Sequence, residues 1–415
     1  MIVPDLNFRP NHARAVYVSG VIDQALLDRL TPKIITLCAE SRDPITVYID
    51  SPGGNAAIGE SILRLLQATD QDASRPCHLV TVVTGRAASA AADLLSSGDY
   101  AIAYAESNIL FHGVRTSLSN PVTVELASYL SETLKLSNDR YATTLARKSE
   151  LRFMFRFFAL RSSFAGHRNK VNKPHLTDLE CFLGLVKEKT SYRAAKLVEL
   201  AWKRYERYNA LLNHVFNVAA RSSKKNPFAS EVPVTQMERV TLRAIIEFEL
   251  KNNKDDPTWT FRDRGLVRVN DDFFLLQEYL ASAFSDQFRQ LCERWSNFVL
   301  TAAEITELEQ LPEAERNEKR LTKLRPHFQP AWSFLVALCH ALQEGENELS
   351  ALDAFWLGLI DEVLGQANLP LTRYFAEYHP DPEPEALPSP TIGELLVPEP
   401  SEANPPKTVP PEPAK

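Results

Sequence analysis

Residues 45–54 read Ile-Thr-Val-Tyr-Ile-Asp-Ser-Pro-Gly-Gly. A β-branched, apolar run that stops at Ser-Pro-Gly-Gly is a strand delivered into a tight turn. Similar runs lie on either side: Ala15–Ser19 before it, Leu79–Thr84 and Tyr100–Tyr104 after it. Between them the apolar spacing turns helical, over Asp23–Cys38, Ala56–Gln67 and Ala87–Ser96. Alternation at this pitch predicts βαβ units, hence an α/β fold around a mostly parallel sheet.

Three polar or glycine-rich motifs sit at the ends of β-runs: Ser51-Pro52-Gly53-Gly54, Gly85-Arg86-Ala87-Ala88-Ser89-Ala90 and Ile109-Leu110-Phe111-His112-Gly113. Strand carboxyl ends line the ligand crevice of open α/β sheets, so these segments are expected to converge. Ser89 falls where a strand turns into a helix, among small residues that leave room around its hydroxyl. Serine is a weak nucleophile until a base such as an imidazole takes its proton, which points to His112. The backbone N–H groups of Gly54 and Ala90 are candidates for an oxyanion hole, and a glycine at 54 lets a carbonyl oxygen approach closely. Each motif alone has an ordinary explanation: a turn, a helix cap, a structural histidine.

Taken in order, Ser-Pro-Gly-Gly, Gly-x-Ala-Ala-Ser and apolar-apolar-His resemble the proteolytic subunit of Clp protease, within the crotonase-like group of folds. Ala15–Ile22 is similar to that family's first strand, Val122–Ser149 to its handle helix, and Leu349-Ser350-Ala351 with Gly358-Leu359-Ile360-Asp361 to its closing segment. The resemblance covers about 15–149 and 346–366. It implies a ClpP/crotonase-like βαβ superhelix with Ser89 as nucleophile, His112 as base, Gly54 and Ala90 as oxyanion donors, and Gly53 and Gly54 as the edge that holds an extended polypeptide substrate. Family members place an Asp shortly before Leu-Ser-Ala, and Ala341–Glu348 contains none. Glu344, Glu346 or Asp178 are the carboxylates left to orient His112. The resemblance also implies a homo-oligomeric ring and an ATP-driven unfoldase partner. Only about fourteen residues precede the first strand, shorter than the family's axial-loop region, which argues against that partner here.

From about Glu150 to Gly345 the spacing is helical, with almost no strand signal and breaks near Asn169–Pro174, Ser222–Pro233 and Asn252–Pro257. The expected layout is an α/β domain of residues 1–149 and 346–377, an all-helical insertion of 150–345, and a disordered tail of 378–415 whose proline density disfavours helix and sheet. Leu151–Phe164 is expected to be a helix turning Phe153, Phe157 and Phe164 inward. Ile392–Val397 is the one apolar island in the tail.

The 415 residues carry 46 basic and 53 acidic side chains, a net charge of −7 that gives no field for nucleic acid or an anionic membrane. Cys38, Cys77, Cys181, Cys292 and Cys339 show neither paired nor zinc-binding spacing. No signal segment and no long apolar run is present, so the reading is a soluble, cytoplasmic protein without a cofactor. A serine endopeptidase is the first expectation. A catalytically silent Clp-like subunit working through its insertion and tail is the second, and a crotonase-type acyl-CoA enzyme, for which paired carboxylates would be expected, the third.

Overall fold

The computed structural model describes residues 9–68, 76–116, 123–206, 261–262, 266–269, 272–275 and 300–366. Its centre is a seven-stranded sheet. Strands β1 (Ala15–Ser19), β2 (Ile45–Ser51), β3 (Leu79–Ala88) and β4 (Tyr100–Tyr104) pair in that order, all parallel, and β10 (Glu362–Leu364) adds in parallel to β4. Helices α1 (Gln24–Glu40), α2 (Ala56–Leu66) and α3 (Ala90–Ser96) make the connections. Asp23 starts α1 by accepting Leu26 N–H at 2.9 Å, and Asn55 starts α2 by accepting Ala57 N–H at 2.9 Å.

On the side away from β2, β3 serves two neighbours. Its first half, Val80–Val83, pairs with β4, and its end, Arg86–Ala88, pairs in parallel with β5 (Asn108–His112). The switch coincides with a register shift against β2, where Ile49 faces Val83 but Ser51 faces Ala87. Extra residues on one strand bend it and increase its twist. Asp50 fills the gap by accepting Arg86 N–H at 3.1 Å. The sequence reading started the helix at Ala87; instead the strand persists to Ala88, because the Arg86–Ala88 backbone finds a second partner in β5.

β9 (Glu346–Ser350) pairs antiparallel with β5, then α9 (Ala351–Trp356) leads to β10. Everything between β5 and β9 is therefore one excursion from the sheet. It opens with α4 (Val124–Ala159), which runs past residue 150 without a break, and continues through α5 (Phe164–Lys170), α6 (Asp178–Lys189) and a helical stretch at 192–206. It returns through α7 (Ala302–Glu309) and α8 (Glu313–Leu342). Phe153, Phe157 and Phe164 point inward as expected: Phe153 meets Phe182 edge-on at 5.3 Å and Phe334 at 6.1 Å, and Phe158 meets Phe328 at 5.0 Å. The described helices of the insertion and the sheet share one apolar core.

The all-helical expectation is corrected at one place. Phe261–Arg262 (β6), Leu266–Val269 (β7) and Asp272–Leu275 (β8) form a small antiparallel sheet, in which Val269 pairs with Asp272. Its signal in the sequence is Asn270-Asp271, turn-forming residues between two apolar runs. The tail from 378, the Ile392–Val397 island and the breaks near 222–233 and 252–257 lie outside the described residues. Among the described residues, no helix is long and apolar enough to cross a membrane.

One buried carboxyl in this core makes stability pH-dependent. Burial pushes Glu150 up from the ordinary 4.5 to about 8, with Arg147 opposing the shift only in part. In the unfolded chain the proton leaves near 4.5, so between that pH and 8 the folded state holds more protons and stability falls as pH rises. Urea unfolding should show a loss on the order of 3 kcal/mol between pH 5 and pH 8. Glu150→Gln should remove most of that slope, leaving the part below about pH 6 that comes from the raised Asp93 carboxyl, and a slope unchanged in the variant would refute the assignment.

Candidate active site

Ser89 occupies the turn between β3 and α3 with φ 56° and ψ −129°. Side chains other than glycine rarely adopt such angles, and holding one there costs about 1–3 kcal/mol. The surrounding pairings impose it. Ser89 N–H donates to Leu110 O at 2.8 Å, fixing the end of β3 to β5, while Ser89 O accepts Ala92 N–H at 2.8 Å to begin α3. The Ser89 side chain makes no cap bond to the helix, so its hydroxyl is not committed to the backbone. A serine held on a sharp strand-to-helix turn is how several hydrolases expose a nucleophile.

Gly53 and Gly54 form the facing wall. Both have positive φ, 89° and 152°. A Cβ on Gly53 would fall 2.3 Å from Ala88 O and 2.7 Å from Ser89 Cβ, and one on Gly54 would fall 2.3 Å from Ile22 O. The glycine turn thus packs its backbone directly on the Ala88 backbone and the Ser89 Cβ. Ile22 N–H donates to Gly53 O at 2.8 Å and Asn55 N–H to Ile22 O at 2.8 Å, which skips Gly54. Among the described residues the N–H groups of Gly54 and Ala90 have no acceptor within the chain.

His112 ends β5, two residues beyond the Leu110 that holds Ser89, so nucleophile and base candidates lie on adjoining strands. The Ser89 hydroxyl and the His112 ring share no hydrogen bond. The ring places Nδ1 2.6 Å from Gly113 O. A carbonyl only accepts, so Nδ1 is the donor, and in the neutral ring this leaves the lone pair on Nε2, the tautomer a general base requires. The Gly113 turn is closely packed, since a Cβ there would lie 2.7 Å from Gln343 O at the end of α8 and 2.8 Å from Asn138 Nδ2 on α4. Val114 N–H donates to Asn138 Oδ1 at 2.7 Å. The excursion therefore braces the histidine from both of its ends.

The three carboxylate candidates separate clearly. Asp178 pairs with Arg168 at 2.6 Å and Arg161 at 3.5 Å. Glu344 pairs with Arg204. Glu346 is the cross-strand partner of His112 in the β5–β9 ladder. Its carboxylate accepts from Arg115 at 2.6 Å, and that bond and charge, with a smaller pull from His112, hold it below the usual range. Asn347 sets the entry to β9 by donating to the carbonyls of Ala341, Leu342 and Glu344 at the end of α8. Spacing from Leu-Ser-Ala does not place any of the three beside His112; the strand register puts Glu346 opposite it.

A parallel-rich α/β sheet of this connectivity, with a strained serine facing a glycine turn, is a ClpP-like fold. The Clp protease family model matches residues 5–150. Through that segment, about a third of its length, the chain is similar to the Clp protease family. It is similar to ATP-dependent Clp protease proteolytic subunit 3 of Rhodococcus jostii, 33% identical over 119 residues, 26% of this chain and 56% of that one. The ATP-dependent Clp protease proteolytic subunit of Carsonella ruddii is 33% identical over 94 residues, 23% of this chain and 45% of that one. Proteolytic subunit 1 of Mycobacterium tuberculosis is 33% identical over 103 residues, 24% of this chain and 48% of that one. The chain spans about half the length of the curated relatives it matches.

Proposed function

We propose that the protein is a serine endopeptidase of Clp type, acting on extended polypeptide as a ring oligomer. The observation that carries this reading is Ser89, held at a positive φ between two amides without acceptors, with His112 on the adjoining strand. His112 Nε2 takes the Ser89 proton as the hydroxyl attacks the scissile carbonyl, and the oxyanion rests on the Gly54 and Ala90 N–H groups. Water then releases the acyl-enzyme. A substrate strand lies along Gly53 and Gly54. Joining hydroxyl and imidazole requires a side-chain rotation, in keeping with free enzymes whose catalytic hydrogen bonds tighten on binding substrate.

Glu346 is the carboxylate that orients His112 in this reading. Glu346→Gln should lower kcat by about 10²–10⁴ with KM little changed, as expected for a group that acts through the histidine. Glu344→Gln and Asp178→Asn should stay within about twofold of the parent. Equal losses in all three variants would remove Glu346 from the mechanism. The silent-subunit reading is favoured by one observation, the His112 Nδ1 contact with Gly113 O in place of a carboxylate. Fluorophosphonate labelling separates the two: a peptidase takes the label at Ser89, and a folded oligomer that never takes it is the silent subunit.

A further inference from the structure

The His112 ring takes its orientation from its own chain. Among the described residues the acceptor on Nδ1 is Gly113 O at 2.6 Å, and no carboxylate is hydrogen-bonded to the ring. A neutral histidine left to itself favours the proton on Nε2, so a ring that keeps it on Nδ1 needs an acceptor fixed in place. A backbone carbonyl is fixed only as firmly as the peptide plane that carries it.

The Gly113 carbonyl shares its plane with the Val114 N–H, and in a trans peptide the two point to opposite sides. On the far side Asn138 of α4 accepts the Val114 N–H through Oδ1 at 2.7 Å. Imidazole, peptide unit and side-chain amide thus form one chain of hydrogen bonds, Nδ1–H to Gly113 O and then Val114 N–H to Asn138 Oδ1. Successive bonds in such a chain polarise one another, so Asn138 makes Gly113 O the better acceptor for the ring. Glycine at 113 lets the clamp close, because a Cβ there would stand 2.8 Å from Asn138 Nδ2 and 2.7 Å from Gln343 O.

We propose that Asn138 is a positioning residue for His112, acting through the Gly113–Val114 peptide to keep the imidazole proton on Nδ1. The inference deepens the peptidase reading and rests on it for its effect on turnover. Two groups then have separate tasks. The peptide chooses which nitrogen carries the proton. Glu346, opposite His112 in the β5–β9 ladder, supplies negative charge as the imidazolium forms, which neither a carbonyl nor an amide can do. The Nδ1 contact that favours the silent-subunit reading thereby acquires a productive role. Because α4 is the first helix of the excursion, a shift of that helix would reach the histidine without touching the substrate.

The test compares full-length Asn138→Leu, close in shape but without an acceptor, with Asn138→Asp, which keeps the accepting oxygen. A serine hydrolase whose histidine is held in the wrong tautomer loses about 10⁴ in turnover, and releasing the ring should cost less than reversing it. Asn138→Leu should lower kcat by at least about tenfold with KM within about twofold, and Asn138→Asp should stay within about threefold of the parent. Solid-state nitrogen-15 NMR of histidine-labelled protein, with His112→Gln to identify the signals, reads the tautomer itself. The neutral ring should carry its proton on Nδ1 in the parent and in Asn138→Asp, and move toward the Nε2–H form in Asn138→Leu. Should Asn138→Leu not fold, a parent ring protonated on Nε2 overturns the proposal, and Nδ1–H kept in Asn138→Asp sustains it. Nδ1–H that depends on Asn138 in a protein that takes no fluorophosphonate would sustain the link and end the peptidase reading. An unchanged tautomer in Asn138→Leu, equal losses of kcat in the two variants, or a rise in KM in place of a fall in kcat would overturn the proposal.

Discussion

Replacing Ser89 with glycine should yield a protein about 1 kcal/mol more stable than the alanine variant, with peptide hydrolysis lost in both. The serine sits at φ 56° and ψ −129°, where a Cβ is strained, and alanine keeps that Cβ. Glycine relieves about 1–3 kcal/mol of strain and returns about 0.5–1 kcal/mol through the greater freedom of its unfolded chain. The hydroxyl makes no cap bond, so little else offsets the gain. Turnover should fall by about 10⁶ in either variant, the scale on which a serine hydrolase responds to loss of its nucleophile. Denaturant midpoints read the first effect and fluorogenic peptides the second. Equal stability of the two variants would mean the turn is not strained, and surviving hydrolysis would mean that Ser89 is not the nucleophile.

The largest effect on folding is expected at Asp361. Its Oδ2 accepts from Arg152 Nε at 2.7 Å and from Ala101 N–H at 2.8 Å, and both side chains are almost wholly out of solvent. Arg152 also donates to Ser96 O at 2.9 Å and to Gly98 O, so it holds α4 against the end of α3 and against the segment that leads into β10. Asp361→Asn leaves a buried guanidinium without its counter-charge and should cost about 3–5 kcal/mol. Arg152→Met combined with Asp361→Leu removes both charges but takes partners from the Ala101 N–H and the Ser96 and Gly98 carbonyls, so it should recover only part of that loss. Urea unfolding of the two proteins checks the ordering. A single variant costing under about 1 kcal/mol would show that the pair is not the tie described.

The sheet was largely legible because its strands are short β-branched runs separated by helices, and Ala15–Ser19 and Tyr100–Tyr104 emerge with the expected bounds. What escaped depended on partners distant in sequence. The extension of β3 to Ala88 needs β5, and the place of Glu346, rather than Glu344, opposite His112 needs the register of β9. Arg152 and Arg156 interrupt the aromatic run Leu151–Phe164 and nothing in the spacing marks them as core, yet both are buried, because Ser96, Gly98 and Ile360 offer carbonyls to them.

The pairing of β5 with β9 also bears on the order of events at the ribosome. One edge of the sheet stays open until the chain has been made as far as Glu346–Ser350, because the strand that covers β5 is encoded beyond the whole excursion. On the reading proposed above, the emerging polypeptide carries its hydroxyl and imidazole long before the acidic residue that steadies them. A half-made subunit would be inert toward its neighbours, its activation timed by translation with no separate propeptide required.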